Sequence, residues 1–330
     1  MTKSTSVQLK KMPVRIGIVV VCVAIAALTF VKPFSVQEVN SDGVYGILYT
    51  PRWSATKESV VLLGGSEGGA SAMLGLARKL AIEGHPALSL AYFKYKDLPQ
   101  SLSEIPLEYG SRAAQWLVKQ PFSTGQHVAV VGTSRGAEYA LLLASHFPVI
   151  DRVVAISPSS VSWPGFRDGI IGGPAWTLRN CAIPFVDVPV DGSNVAQDSD
   201  EASRALAILR SISQDNKARI PIENSAASVL LLAGSADRLW PTEYMAKELY
   251  LRLKAKKAKP RCDITIYEGA GHMITPGSDP NLVRLKQKFM GQPILLGGNF
   301  LANKRAQDQS WLSIKTFLNR EEKADGDFGK

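Results

Sequence analysis

The chain has 330 residues, 45% of them hydrophobic and 20% charged, with 38 basic against 29 acidic side chains. That composition excludes a disordered chain, a collagen-like fibre and a multi-span membrane protein, and the length suits one large domain or two modest ones. Three cysteines without a Cys-x-x-Cys pair exclude a small disulfide scaffold and leave a structural zinc site without support, while the net charge of +9 suits anionic substrates or a phospholipid surface as well as nucleic acid.

Met1 to Arg15 carries Lys3, Lys10, Lys11 and Arg15 and no acid. Ile16 to Val31 (IGIVVVCVAIAALTFV) then runs without a charge, and Lys32-Pro33 closes it. A basic segment followed by an apolar run directs a chain to the membrane. The expectation is one uncleaved transmembrane helix within residues 1–34. By the positive-inside rule the N-terminus stays cytoplasmic and residues 35–330 lie on the far side, periplasmic in a bacterium. Cleavage near Ala24-Ile25-Ala26, which would release a secreted protein, is the alternative.

Gln37 to Tyr49 reads as strand, turn and strand about Ser41-Asp42-Gly43. Ser59 to Leu63 (SVVLL) is wholly apolar, as buried parallel strands are. Ala70 to Glu83 has helical spacing, with Met73, Leu76, Ala77 and Leu80 on one face. Then follow a strand at Ala87–Ala91, a helix at Pro106–Lys119, a strand at His127–Val131, a helix at Ala137–His146 and a strand at Arg152–Ile156. After an interruption come a strand at Val229–Ala233, a helix from Glu243 to about Lys256, a strand at Asp263–Tyr267 and a helix at Gln307–Leu318. Strands alternating with helices predict an α/β fold with a mostly parallel sheet covered on both faces. The interruption, about 157–226, holds a polar helix near Glu201–Ser213 and reads as a cap over the sheet.

Gly132-Thr133-Ser134-Arg135-Gly136 fits G-x-S-x-G between an apolar strand and a helix, the context a nucleophile elbow needs. A serine hydroxyl is a poor nucleophile without a base. His272 lies on a glycine-rich loop after the last strand and can swing over the serine, whereas His85, His127 and His146 lie far from it. Asp237 follows the strand Val229–Ala233 and supplies the acid that fixes the imidazole tautomer, giving the order Ser134, Asp237, His272. The backbone N–H of Arg135 is one expected oxyanion donor. The loop Gly64-Gly65-Ser66-Glu67-Gly68-Gly69 supplies the other, with Ser66 N–H assigned and Glu67 as its rival. That loop lacks the Lys-Ser/Thr of a phosphate-binding P-loop.

These stretches resemble the C-terminal catalytic domain shared by acyl-CoA thioesterases and bile acid-CoA:amino acid N-acyltransferases, an α/β-hydrolase group of dienelactone-hydrolase-like type. The resemblance rests on VVLLGGSEGG, ALSLAYFKYKDLPQSLSEIPLEY, VVGTSRGAEYALLLAS, IPIENSAASVLLLAGSADRLWP, YEGAGHMITP and GGNFLANKRAQDQSWLSIKTFL, and spans about Val60 to Leu318. It implies an α/β-hydrolase fold with Ser134 as nucleophile, Asp237 as acid and His272 as base. The N-acyltransferase branch carries cysteine where this chain has Ser134, and serine favours attack by water. The expectation is hydrolysis of an ester or thioester with no metal or organic cofactor and no nucleic-acid partner. Acyl transfer to an amine or alcohol, or a non-catalytic binding module, are the alternatives. The basic run Lys247, Arg252, Lys254, Lys256, Lys257, Lys259 and Arg261 reads as a solvated helix face, and Cys181 and Cys262 as two buried thiols.

Overall fold

A computed structural model describes residues 32–52, 56–167, 170–188, 201–256, 261–289 and 292–320. Eight strands form the main sheet: β1 (Phe34–Ser41), β2 (Val44–Pro51), β3 (Val60–Leu63), β4 (Ala87–Leu90), β5 (Val128–Thr133), β6 (Ile150–Ile156), β7 (Ser228–Gly234) and β8 (Cys262–Tyr267). Their order is β1-β2-β4-β3-β5-β6-β7-β8. The pairs β1–β2 and β2–β4 are antiparallel, and all others are parallel. The turn between β1 and β2 puts Asp42 and Gly43 at φ 55° and 69°, the left-handed pair that matches the twist of a tight hairpin.

The central strands are apolar on both sides because both sides are covered. Val61, Leu63, Val128 and Val130 face a core shared with α2 (Leu107–Val118), α3 (Arg135–His146) and α5 (Thr242–Ala255). Val60, Leu62, Ala129 and Val131 face the opposite core, with α1 (Leu74–Ile82) and α6 (Phe300–Leu318). This is the layered α/β arrangement read from the alternating pattern. The helix α1 begins at Leu74 rather than Ala70. The helix α3 begins at Arg135, against the serine, and α6 at Phe300 rather than Gln307. A hairpin of Arg284–Phe289 with Gln292–Leu295 precedes α6 and has no clear apolar alternation in the sequence.

The segment expected to form a cap is partly built into the body of the domain. Its strand Trp176–Leu178 pairs with Ile105–Pro106, and the Trp176 ring stacks on Tyr139 of α3 at 4.7 Å. Val161, Trp163, Val186 and Met245 form a third core with Ala205 and Leu209 of α4 (Glu201–Ser211).

The remaining expectations fare differently. The apolar run Ile16–Val31 lies outside the described residues, and among the described residues no helix is long and apolar enough to cross a membrane. Cys181 is exposed rather than buried, and both it and Cys262 are free; burial pushes the Cys262 thiol up to about 12. The described part of the basic run keeps a solvated face, with the side chains of Lys247 58% and Arg261 54% exposed, while three of its charges carry acid partners. Lys247 pairs with Glu243, Arg252 with Glu223 and Glu248, and Arg261 with Asp263.

Candidate active site

β5 delivers Ser134 to the carboxyl edge of the sheet. Ser134 sits at φ 53°, ψ −122°, a strained backbone position for a side-chain-bearing residue, and α3 starts at the next residue. The flanking glycines are demanded by close approach. A Cβ on Gly132 would lie 2.1 Å from the Gly136 carbonyl oxygen, and one on Gly136 would lie 2.2 Å from the Gly64 carbonyl oxygen. The Ser134 N–H donates to Ile156 at 2.9 Å, tying the elbow to the end of β6.

Asp237 lies in the turn after β7 with its side chain almost wholly buried. Its Oδ1 accepts the N–H groups of Leu239 (2.9 Å) and Trp240 (3.0 Å), and its Oδ2 accepts the Thr242 hydroxyl at 3.0 Å. The remaining site on Oδ2 meets His272 Nδ1 at 2.7 Å. A carboxylate saturated in this way cannot rotate freely, so it favours the imidazole tautomer with its proton on Nδ1 toward the acid and a free lone pair on Nε2. His272 Nε2 is buried with no hydrogen-bond partner, so the Ser134 hydroxyl is not hydrogen-bonded to it here. Such bonds often tighten only with substrate present.

Two links place the serine and the histidine on one rim. Thr133, before the serine, shares a 2.8 Å hydroxyl contact with Thr275, three residues past the histidine. Ser157, which follows the Ile156 that receives the Ser134 N–H, donates its hydroxyl to the His272 carbonyl at 2.8 Å. The other histidines are elsewhere. His85 is buried with Nδ1 2.9 Å from the Glu58 carbonyl oxygen, and burial lowers its pKa. His127 faces Asp151 at 3.8 Å, and His146 ends α3.

The glycine-rich loop after β3 lies against Ser134, since a Cβ on Gly65 would sit 3.3 Å from Ser134 Cβ. The buried Tyr92 hydroxyl, 2.7 Å from the Gly64 carbonyl oxygen and 3.1 Å from that of Gly65, anchors the loop. Glu67 turns its carboxylate back to accept the Gly65 N–H at 2.7 Å. That occupies the Gly65 N–H, and the loop N–H groups named from sequence are those of Ser66 and its rival Glu67, with Arg135 across from them. The N-terminus of α3 adds its positive end at Arg135.

Sequence reasoning missed what surrounds this rim. The Arg135 guanidinium is buried, paired with Glu138 at 3.1 Å and placed 5.5 Å from Trp176 and 6.0 Å from Trp240. It donates to the carbonyls of Trp163 and Pro164. Glu138 in turn accepts the Trp163 N–H and the Trp176 indole N–H. One buried ion pair on α3 therefore pins the cap segment. The Trp240 ring stands edge-on to His272 at 6.4 Å. An i, i+3 Arg-Glu spacing was visible in the sequence, but such a pair usually marks an exposed helix face. Among the described residues no cluster of His, Cys, Asp and Glu is arranged to hold a metal ion.

Residues 105–323 match the family described as BAAT / Acyl-CoA thioester hydrolase C terminal. The chain is 30% identical over 287 residues to human acyl-coenzyme A thioesterase 1, covering 86% of this chain and 65% of that protein. It is 29% identical over 295 residues to mouse acyl-coenzyme A amino acid N-acyltransferase 1, covering 88% of this chain and 66% of that protein. The chain thus spans about two thirds of the length of these relatives. Among solved structures, a putative dienelactone hydrolase from Klebsiella pneumoniae superposes with a TM-score of 0.52 at 15% identity, covering 87% of this chain and 98% of that one. That likeness bears on the fold alone.

Proposed function

The chain belongs to the BAAT / acyl-CoA thioester hydrolase C-terminal family, and from that premise we propose that it is a serine hydrolase cleaving an ester or thioester, acyl-CoA being the thioester class. The observation that carries this reading is the 2.7 Å contact of His272 Nδ1 with a saturated Asp237 carboxylate, on the rim where Ser134 is raised by its strained elbow.

In this reading Ser134 Oγ attacks the acyl carbonyl carbon and its proton passes to His272 Nε2. The Asp237 carboxylate stabilises the resulting imidazolium. The tetrahedral oxyanion is held by the N–H groups of Ser66 and Arg135. Collapse breaks the carbon–sulfur or carbon–oxygen bond, and the imidazolium gives its proton to the leaving thiol or alcohol. Water then attacks the acyl-enzyme, surrenders a proton to His272, and releases the acid as the proton returns to Ser134. Transfer of the acyl group to an amine is the second reading, favoured by the similarity to an amino acid N-acyltransferase.

The test is a panel of p-nitrophenyl esters and acyl-CoA esters of graded length, run with and without glycine. Release of free acid and CoA is the expected result; N-acylglycine as the main product supports transfer instead, and turnover of short esters with none of any acyl-CoA removes the thioester assignment. We also propose that the apolar run Ile16–Val31 anchors the full chain. Fractionating the same preparation tests this, with activity expected in the membrane pellet after carbonate washing and release to the supernatant contradicting it.

A further inference from the structure

The histidine loop has little regular structure to hold it. It leaves β8 and runs from residue 268 to 280 without helix or strand. A loop histidine that must meet a serine on a different strand needs its backbone fixed from outside, because misplacement by about 1 Å can cost on the order of 100-fold in rate.

The fixing groups come from α6. Asn299 caps that helix by accepting the Ala302 N–H at 3.0 Å. One turn on, the wholly buried Asn303 uses both ends of its amide. Its Oδ1 accepts the Gly271 N–H at 2.8 Å, and its Nδ2 donates to the Pro280 carbonyl at 3.2 Å. Gln307, four residues later and nearly as buried, donates Nε2 to the Met273 carbonyl at 2.9 Å. The residues on both sides of His272 are thus held by two side chains on one helix face, at the i, i+4 spacing that brings them together. The His272 N–H donates to the Leu296 carbonyl at 2.8 Å, in the segment that leads directly into α6.

We propose that α6 is a brace for the histidine loop, with Asn303 and Gln307 as positioning residues that hold His272 against Asp237 and toward Ser134. This rests on the hydrolase reading, in which His272 is the base. Neither residue touches the reacting atoms. Both act through the backbone of residues 271, 273 and 280.

The experiment compares Asn303→Ala and Gln307→Met with a control on the same helix. Ala306 lies between them, is buried and makes no polar contact with the loop, so Ala306→Gly weakens the same turn without removing either hydrogen bond. Two readouts are taken on the full chain: kcat and KM on the best ester or thioester, and the low-field His272 Nδ1–H resonance in ¹⁵N-histidine-labelled protein. The expected result is a fall in kcat of about 100-fold when Asn303→Ala and Gln307→Met are combined in one chain, and a smaller fall in each alone, with KM little changed and the resonance broadened or lost. Ala306→Gly keeps both kcat and the resonance. The brace is overturned if Asn303→Ala and Gln307→Met retain both, or if Ala306→Gly loses as much as they do. Should the wild-type protein show the resonance but turn over no ester or thioester, the hydrolase reading fails, and the resonance alone still decides the brace.

Discussion

Exchanging Asp237 for asparagine is expected to lower kcat by about 10⁴-fold while leaving the fold intact. The Asp237 carboxylate accepts the Nδ1 proton of His272, so the imidazole holds its free lone pair at Nε2. An amide nitrogen in that position donates instead, which drives the imidazole proton to Nε2 and abolishes the base. The side-chain oxygen that remains can still accept the N–H groups of Leu239 and Trp240, and the Thr242 hydroxyl can turn to accept from the new amide. Steady-state kinetics on a short ester, with a thermal melt beside it, check both halves. A kcat within tenfold of wild type would mean that Asp237 does not set the tautomer.

The second large effect falls on stability. Glu138→Ala is expected to cost about 3–5 kcal/mol, because it strands a buried guanidinium. Burial pushes the Glu138 carboxyl up and the Arg135 guanidinium down, and each opposes the other's shift. Removing the acid also leaves the Trp163 N–H and the Trp176 indole N–H without their acceptor, so the cap segment loses two of its hydrogen bonds to α3. The paired change Arg135→Met with Glu138→Leu is expected to recover part of the loss, since no charge is then left unpaired in the core. Urea unfolding of the two single variants and the double measures this. Simple addition of the single losses would deny the coupling.

The three residues proposed as a triad stand out in the sequence because each sits where local chain chemistry marks it. Ser134 is flanked by glycines that close approach demands, Asp237 follows an apolar strand, and His272 stands beside glycines on a loop. Those signals are local. The supports are not. Glu138 lies on α3, yet its partners are tryptophans 25 and 38 residues away. Asn303 and Gln307 sit in a helix whose apolar spacing did not distinguish them from its other polar positions. Trp163 and Trp176 fell in the segment without strand–helix rhythm, where periodicity carries no information about burial. Tyr92 followed a predicted strand, and only the fold shows its hydroxyl beneath the glycine loop. The long start of α6 was missed because its first turns, from Phe300, carry exposed Phe300 and Leu301 beside the buried Asn303, against the usual helical pattern.

The central claim is that Ser134 is made reactive by His272. Incubating the full chain with a fluorophosphonate and locating the adduct by peptide mass tests this most directly. A single adduct on Ser134, absent in Ser134→Ala and formed far more slowly in His272→Ala, is the result expected here. Labelling at another residue, or equal labelling of wild type and His272→Ala, would contradict it.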